Sequence, residues 1–149
     1  MKKTVEYLPA YRLAYKRSIG PYGSENAKVM AELKDWAKER NILNEGVVFG
    51  IPQDNPEETE LKDCRYDATI VIDCDFVLDD EVIEGEFTEG WYTIFRVEHT
   101  AAAVSQAWQE IGAFLAEQEV VLFSPIVERY RSACVARHMC EICVPIVKG

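Results

Sequence analysis

Hydrophobic and polar residues alternate along residues 11–19, residues 47–51 form a short apolar run that ends at Pro52, and residues 65–73 are rich in β-forming residues. Each of these patterns is typical of a β-strand. With the short segment 4–8, they predict strands at residues 4–8, 11–19, 47–51 and 65–73. Pro9 and the Gly20-Pro21 pair are turn-forming residues that end the first two strands.

A helix is predicted between the second and third strands. Apolar residues recur there at spacings of four, three and one, at Val29, Leu33, Trp36 and Ala37. These positions share one helical face, so residues 24–40 are predicted to form an amphipathic helix with Ser24 as its N-cap. Residues 52–63 contain too many proline, aspartate and asparagine residues for regular structure and predict an exposed acidic loop.

The same pattern returns in the second half of the chain. Residues 91–95 lie over residues 11–15 at an offset of 80, and a helix capped by Thr100 follows. Strands are predicted at 83–89, 91–98, 120–131 and 140–147. Two β-β-α-β-β units, about residues 1–75 and 82–149, therefore predict one α+β domain with antiparallel sheets, two main helices and pseudo-twofold symmetry.

Glu128 lies on an otherwise apolar strand face. Strand alternation puts it on one face with Ile126 and Tyr130, where a carboxylate costs free energy unless a cation or a hydrogen-bond donor meets it. Each predicted unit has one helix for one face of its sheet, so the helix-free faces are expected to meet and to form a central cleft. The counterpart of Glu128 in the first unit falls near Gly50, so this carboxylate has no twin. We therefore interpret Glu128 as a ligand anchor.

The charge of the chain narrows the choice of partners. The sequence has 26 acidic and 16 basic residues and a net charge of −10. Direct contact with nucleic acid requires clustered lysine and arginine residues, so it is not expected. A cationic ligand or a basic protein surface is favoured instead.

The chain shows no membrane or secretion signal and no disulfide framework. No apolar run approaches the roughly 20 residues of a membrane span, and the five cysteines are odd in number. A soluble cytoplasmic protein is therefore expected. Zinc has to be considered for Cys134, His138, Cys140 and Cys143, but a spacing of three in a strand would put Cys140 and Cys143 on opposite faces. Buried thiols are therefore expected, with no metal and no cofactor.

Residues spread along the whole chain resemble one family. They are Gly20-Pro21, Asp54-Asn55-Pro56, Tyr66-Asp67, Gly90 with Tyr92, Trp108, and Pro125 with Glu128 and Tyr130. In order and spacing they resemble the GyrI-like (gyrase-inhibitor-like) small-molecule-binding domain, which is also the effector-binding domain of AraC- and MerR-type multidrug regulators. Those regulators have a helix-turn-helix region ahead of this domain, and none is present here, so the chain resembles the stand-alone members.

The resemblance implies a cleft that binds flat, lipophilic and often cationic drugs or toxins. It implies that Glu128 meets the positive charge and that the cleft is lined by Phe49, Tyr92, Ile126 and Tyr130, with Tyr66, Trp91 and Trp108 as further wall residues. It leaves two other functions open. Some members hydrolyse strained, cyclopropane-bearing toxins, for which Glu128 would be the general base and Tyr92 or Tyr130 would polarise the electrophile. The family name also suggests an acidic inhibitor of DNA gyrase, and a separately encoded transcription regulator is a further partner to consider.

Overall fold

The computed structural model describes residues 2–44, 46–118 and 124–146. These residues form one antiparallel sheet and three α-helices, so the predicted α+β class is confirmed. The first half contains β1 (Lys2–Leu8), β2 (Tyr11–Ile19), α1 (Ser24–Glu39), β3 (Val47–Pro52) and β4 (Arg65–Ile72). The second half contains β5 (Ile83–Phe87), β6 (Gly90–Glu98), α2 (Ala101–Gln118), β7 (Val127–Arg131), α3 (Ser132–Val135) and β8 (Met139–Ile146).

The eight strands pair in the order β1-β6-β8-β7-β3-β4-β2-β5. The order is pseudo-symmetric. If β1, β2, β3 and β4 are exchanged with β5, β6, β7 and β8, respectively, and the sheet is read from its other edge, the same order results. The two halves are interleaved, because β1 pairs with β6 and β5 pairs with β2. Neither predicted unit therefore forms a four-stranded sheet of its own, and the division of the domain into two repeats stays a prediction.

The two long helices cover one face of the sheet. Leu33 and Trp36 of α1 pack in a buried cluster with Ile70 of β4, and Ile111 of α2 packs in a second cluster with Ile142 of β8. The capping prediction for α2 is confirmed, since the backbone N–H of Ala103 donates to Thr100 Oγ1 at 3.1 Å. The prediction for α1 is wrong, because Ser24 already lies in the helix.

The residue ahead of α1 is Gly23. Its φ of 147° falls in the left-handed region that favours glycine, and it has no side chain with which to cap the helix. The backbone N–H of Asn26 donates to the Gly23 carbonyl at 3.0 Å. The chain therefore enters α1 through a glycine turn.

The other face of the sheet closes on itself. Phe87 of the edge strand β5 stacks on Phe49 of the central strand β3, with 4.5 Å between the ring centroids, and lies 5.3 Å from the ring of Tyr92 on β6. These contacts require the sheet to curl, so that an aromatic core fills its helix-free face. The prediction that the cleft lies between helix-free faces is therefore wrong, and the space around Glu128 lies on the helical face.

The end of the chain differs from the predicted pattern in two places. The strand predicted at 120–131 is present only as β7, and residues 119–123 lie outside the described residues. The short helix α3, which was not predicted, separates β7 from β8. In the described part of the chain, no helix is both long and apolar enough to cross a membrane.

A buried ion network joins β7 to β8 on the face opposite Glu128. Arg129 donates from Nε and Nη2 to the two carboxylate oxygens of Glu141, each at 3.0 Å. Arg131 donates to the same oxygens at 2.8 and 2.9 Å. Burial alone would raise the pKa of Glu141, but the hydrogen bonds and charges of the two arginines outweigh it and hold that pKa below its ordinary value. The residue next to Glu128 is thereby fixed to the neighbouring strand.

A candidate ligand-binding cleft

Glu128 projects from β7 toward the helices, and aromatic donors hold both of its carboxylate oxygens. The indole N–H of Trp108 on α2 donates to Oε2 at 3.1 Å. The Tyr66 hydroxyl on β4 donates to Oε1 at 3.4 Å, and the Tyr130 hydroxyl acts as a further donor. The carboxylate is therefore oriented by side chains from two strands and one helix.

Gly50 makes room for this arrangement. It lies directly opposite Glu128 in the β3–β7 pairing, a contact that the sequence comparison of the two halves did not predict. A Cβ at position 50 would overlap the Tyr66 hydroxyl oxygen and would lie 3.0 Å from Glu128 Oε1. The missing side chain thus lets the Tyr66 hydroxyl cross β3 and reach the carboxylate.

A cavity of about 570 Å³, which we call the first chamber, opens beside Glu128 between α1 and α2. This volume lies within the roughly 300–1,000 Å³ of small-molecule sites. Its walls combine aromatic and aliphatic side chains with a few polar groups from the loop after β3. The lining residues are Tyr22, Asn26, Pro52, Gln53, Asp54, Asn55, Pro56, Tyr66, Trp108, Gly112, Leu115, Ile126 and Glu128.

A second cavity of about 460 Å³, the second chamber, opens on the other side of Glu128 along α1. Asn26, Tyr66 and Glu128 line both chambers and form the divide between them. The remaining walls of the second chamber are Gly23, Ala27, Met30, Ala31, Lys34, His99 and Tyr130. A ligand that lies across Glu128 could therefore extend into both chambers.

Burial sets the electrostatic character of this site. Removal from water raises the pKa of Glu128, because the charged form loses solvation. The hydrogen bonds from Trp108, Tyr130 and Tyr66 favour the charged form and limit this rise. Burial and the adjacent Glu128 charge raise the pKa of Tyr66 and of Tyr130, so both hydroxyls stay protonated as donors. The cleft therefore offers a poorly solvated negative charge between aromatic rings.

The loop after β3 is fixed as one wall of the first chamber. The Tyr22 hydroxyl lies 3.0 Å from the Asp54 carbonyl oxygen and accepts a hydrogen bond from the Asp54 backbone N–H at 3.1 Å. The Asp54 carboxylate accepts from the Arg65 guanidinium at 2.9 and 3.0 Å. This charge is therefore neutralised at the wall, and Glu128 is the carboxylate that forms no ion pair among the described residues of the lining.

Five of the residues expected in the cleft surround one another in the structure. Ile126, Tyr66, Trp108 and Glu128 line the first chamber, and Tyr130 lines the second. Their relative places follow from the strand alternation of β7 and from the position of Trp108 on the inner side of α2.

Three expected wall residues lie elsewhere. Phe49 and Tyr92 are fully buried on the opposite face of the sheet, where the Tyr92 hydroxyl donates to the Thr88 carbonyl at 2.7 Å. Phe49 alternates with Gly50, so only one of these two positions can face Glu128. Trp91 lies at the start of β6, two strands from β7, with its ring 5.5 Å from that of Tyr7. The structure thus separates Phe49, Tyr92 and Trp91 from the carboxylate.

The sequence interpretation missed residues that α1 and its preceding turn contribute. Tyr22, Asn26 and Lys34 line the cleft but were not proposed as site residues. The Asp54-Asn55-Pro56 segment was noted as a family feature, and its three residues line the first chamber. The Gly20-Pro21 pair, also noted, comes directly before Tyr22, whose hydroxyl contacts Asp54. Only the fold shows that Tyr22 and this segment form one wall.

Two cysteines of the cluster considered for zinc lie on opposite faces of β8. Cys140 belongs to the buried cluster under α2, and Cys143 belongs to the aromatic core on the other face. Burial raises the pKa of each thiol to about 12, so both stay protonated at neutral pH. The expectation from their spacing is confirmed.

The sequence as a whole matches a known family model over residues 1–147, described as the GyrI-like small-molecule-binding domain. The chain belongs to this family. The GyrI-like domain described here is 38% identical over 148 residues to the SPbeta prophage-derived protein YosT of Bacillus subtilis (strain 168). That match covers 98% of this chain and 99% of YosT, whose name assigns it provisionally to the transcriptional regulators.

Solved structures share the fold at low sequence identity. The C-terminal domain of EcmrR has a TM-score of 0.71 at 13% identity, with 99% of this chain and 98% of that domain covered. In the EcmrR–DNA complex the TM-score is 0.75 at 15% identity, and the match covers 99% of this chain but only 58% of the EcmrR chain. SAV2435, solved with bound tetraphenylphosphonium, has a TM-score of 0.61 at 15% identity, with 100% of this chain and 95% of that chain covered.

Proposed function

We propose that this GyrI-like domain binds lipophilic, aromatic cations of the drug or toxin type in the first chamber, with Glu128 as the anchor for the positive charge. The observation that carries this proposal is the half-buried carboxylate, whose oxygens are held by Trp108 and Tyr66 and which has no cationic side chain bound to it among the described residues. A lipophilic cation loses little solvation on entering such a site, and there it gains a charge interaction that water would weaken. Aromatic walls add cation–π attraction of about 0.5–2 kcal/mol for each ring.

The SAV2435 structure supports the ligand class by likeness. Tetraphenylphosphonium combines four aromatic rings with one positive charge, which is the chemistry that the first chamber would accept. SAV2435 has this chain's fold, although at 15% identity the likeness extends to the fold alone. The ligand class for this chain therefore remains our proposal.

The relatives also suggest a biological setting. YosT carries a regulator's name. EcmrR was solved in a complex with DNA, and this chain covers 58% of the EcmrR chain. We infer that this domain either senses its ligand on behalf of a DNA-binding partner or sequesters the ligand by itself as a resistance device. Gyrase as a protein partner stays a prediction from the family name and the acidic charge of the chain.

Titration with rhodamine 6G, a fluorescent aromatic cation, tests the anchor. Glu128→Gln keeps the shape of the side chain and removes its charge, so affinity should fall at least about tenfold, since truncating one side of a desolvated charge pair costs roughly 2 kcal/mol or more. Glu57→Gln is the matched control, because it removes the same charge from an exposed position in the loop near the first chamber. Equal affinity of wild type and Glu128→Gln would exclude Glu128 as the anchor.

Hydrolysis is a second candidate that one observation favours. The Glu128 carboxylate, with its raised pKa, shares the cleft with the protonated hydroxyls of Tyr66 and Tyr130, a combination suited to general-base activation of water and polarisation of an electrophile. Tyr92 cannot take the polarising part, because it lies on the other face of the sheet. Incubation with a cyclopropane-bearing alkylator distinguishes the two functions: ring-opened product beyond one equivalent of protein indicates an enzyme, and stoichiometric protection indicates binding.

A further inference from the structure

The second chamber differs in charge from the first. Its lining includes one lysine and one histidine, Lys34 of α1 and His99 directly after β6, and Glu128 is the one carboxylate among its described lining residues. Among the residues that the structure describes, neither a lysine nor a histidine lines the first chamber. A ligand that crosses Glu128 would therefore pass from a negative, aromatic environment into one with a positive charge.

Lys34 is held in the second chamber without an ion-pair partner. Its ammonium group lies 5.6 Å from the centroid of the Tyr130 ring, and no described carboxylate forms an ion pair with it. The side chain is half-buried, whereas Lys38 one turn further along α1 is exposed. A half-buried ammonium group loses hydration, and an acidic ligand group would restore the lost interactions.

Tyr130 connects this charge to the anchor. The His99 ring lies 5.2 Å from the Tyr130 ring, and the Tyr130 hydroxyl acts as a donor to Glu128. The Lys34 ammonium and the Glu128 carboxylate are thus separated by a single tyrosine side chain. Two opposite charges on either side of one tyrosine side chain match the two ends of a small amphoteric molecule.

Building on the proposed function, we propose that the ligand of this cleft is amphoteric: its aromatic cation lies against Glu128, and a carboxylate or similar acidic group extends into the second chamber to Lys34, with the His99 imidazole as a further donor. Lys34 is then a specificity-determining residue that selects among lipophilic cations. Ligands without an acidic group would bind through the first chamber alone.

Two rhodamines form a matched pair of probes for this proposal. Rhodamine 19 has the same cationic ring system as rhodamine 6G but carries a free carboxylic acid in place of the ethyl ester. Wild type should bind rhodamine 19 at least as tightly as rhodamine 6G, although the acid is less lipophilic. Lys34→Met keeps a long side chain with good helix propensity. It should lower the affinity for rhodamine 19 about fivefold more than the affinity for rhodamine 6G, which is the effect expected for a partly exposed ion pair.

Two variants make the result specific. Lys38→Met removes the same charge from the exposed side of α1 and should leave the ratio of the two affinities unchanged. Glu128→Gln should lower the affinities for both dyes by a similar factor, because both dyes share the cationic ring system. Equal effects of Lys34→Met on the two dyes, including no effect, would overturn the amphoteric ligand while leaving cation binding intact. Failure of wild type to bind either dye would overturn cation binding and this inference together.

Discussion

At the scale of single residues, the raised pKa of Glu128 has a measurable cost for folding. Its folded-state pKa lies above the ordinary value of 4.5, mainly because of burial. Between 4.5 and the raised value the native state holds more protons than the unfolded state, so the free energy of unfolding falls as pH rises. Each unit of the rise corresponds to about 1.4 kcal/mol.

Glu128→Gln removes this titration, and urea unfolding of both proteins at several pH values from 4.5 to 8 measures it. We expect the variant to gain stability relative to wild type as pH increases and then to reach a plateau above the folded-state pKa. Other ionisable groups cancel in this difference. A difference that does not change with pH would show that Glu128 is solvated in the native state.

Gly50 provides a second residue-scale prediction. Gly50→Ala should displace the Tyr66 hydroxyl from Glu128, because the new methyl group would occupy the same space. The overpacking should cost about 1–3 kcal/mol of stability and weaken rhodamine 6G binding. In a Tyr66→Phe background the clash is largely absent, so the same substitution should cost much less. Additive effects of Gly50→Ala and Tyr66→Phe in this double-mutant cycle would contradict the contact.

At the scale of elements, β7 and β8 carry two glutamates with opposite electrostatics on opposite faces. Glu128 faces the cleft with a raised pKa, whereas Glu141 is 1% exposed and binds Arg129 and Arg131 with a lowered pKa. The contribution of Glu141 to stability is present above its ordinary pKa and is lost as pH falls through the lowered one. The ion network therefore holds β7 in register, and the cleft face is free to carry an unpaired charge.

Glu141→Gln tests this support. Loss of the carboxylate leaves Arg129 buried without its main partner, which should cost about 3–5 kcal/mol. Glu84→Gln is the control, because its ion pair with Arg12 is exposed and its loss should cost less than about 1 kcal/mol. Denaturant midpoints at neutral pH compare the two variants. Similar losses in both would contradict a supporting role for the network.

At the scale of the whole molecule, periodicity predicted the elements well because it is a local property. The alternation along residues 126–130 placed Ile126, Glu128 and Tyr130 on one face correctly, and helical spacing located α1 and α2. Strand pairing across the two halves is not local. Phe49 was misplaced because it is the pairing of Gly50 with Glu128 that decides which of the two neighbours shares the carboxylate's face.

The curl of the sheet also cannot be predicted from local sequence patterns. Tyr92 was expected in the cleft from the family resemblance, and nothing in the neighbouring sequence shows that Phe87 folds over it from the other edge of the sheet. Lys34 was overlooked because a lysine on an amphipathic helix normally faces solvent. Only the packing of α1 beside Tyr130 brings it into the second chamber.

We propose that the half-buried carboxylate of Glu128 makes this cleft select positive charge. Tetraphenylphosphonium and tetraphenylborate have nearly the same size and shape and opposite charges, so the ratio of their affinities measures charge preference alone. We predict that wild type prefers tetraphenylphosphonium at least about tenfold, or about 1.4 kcal/mol, and that Glu128→Gln abolishes or reverses this preference. A preference that survives in Glu128→Gln, or that is missing in wild type, would contradict the account.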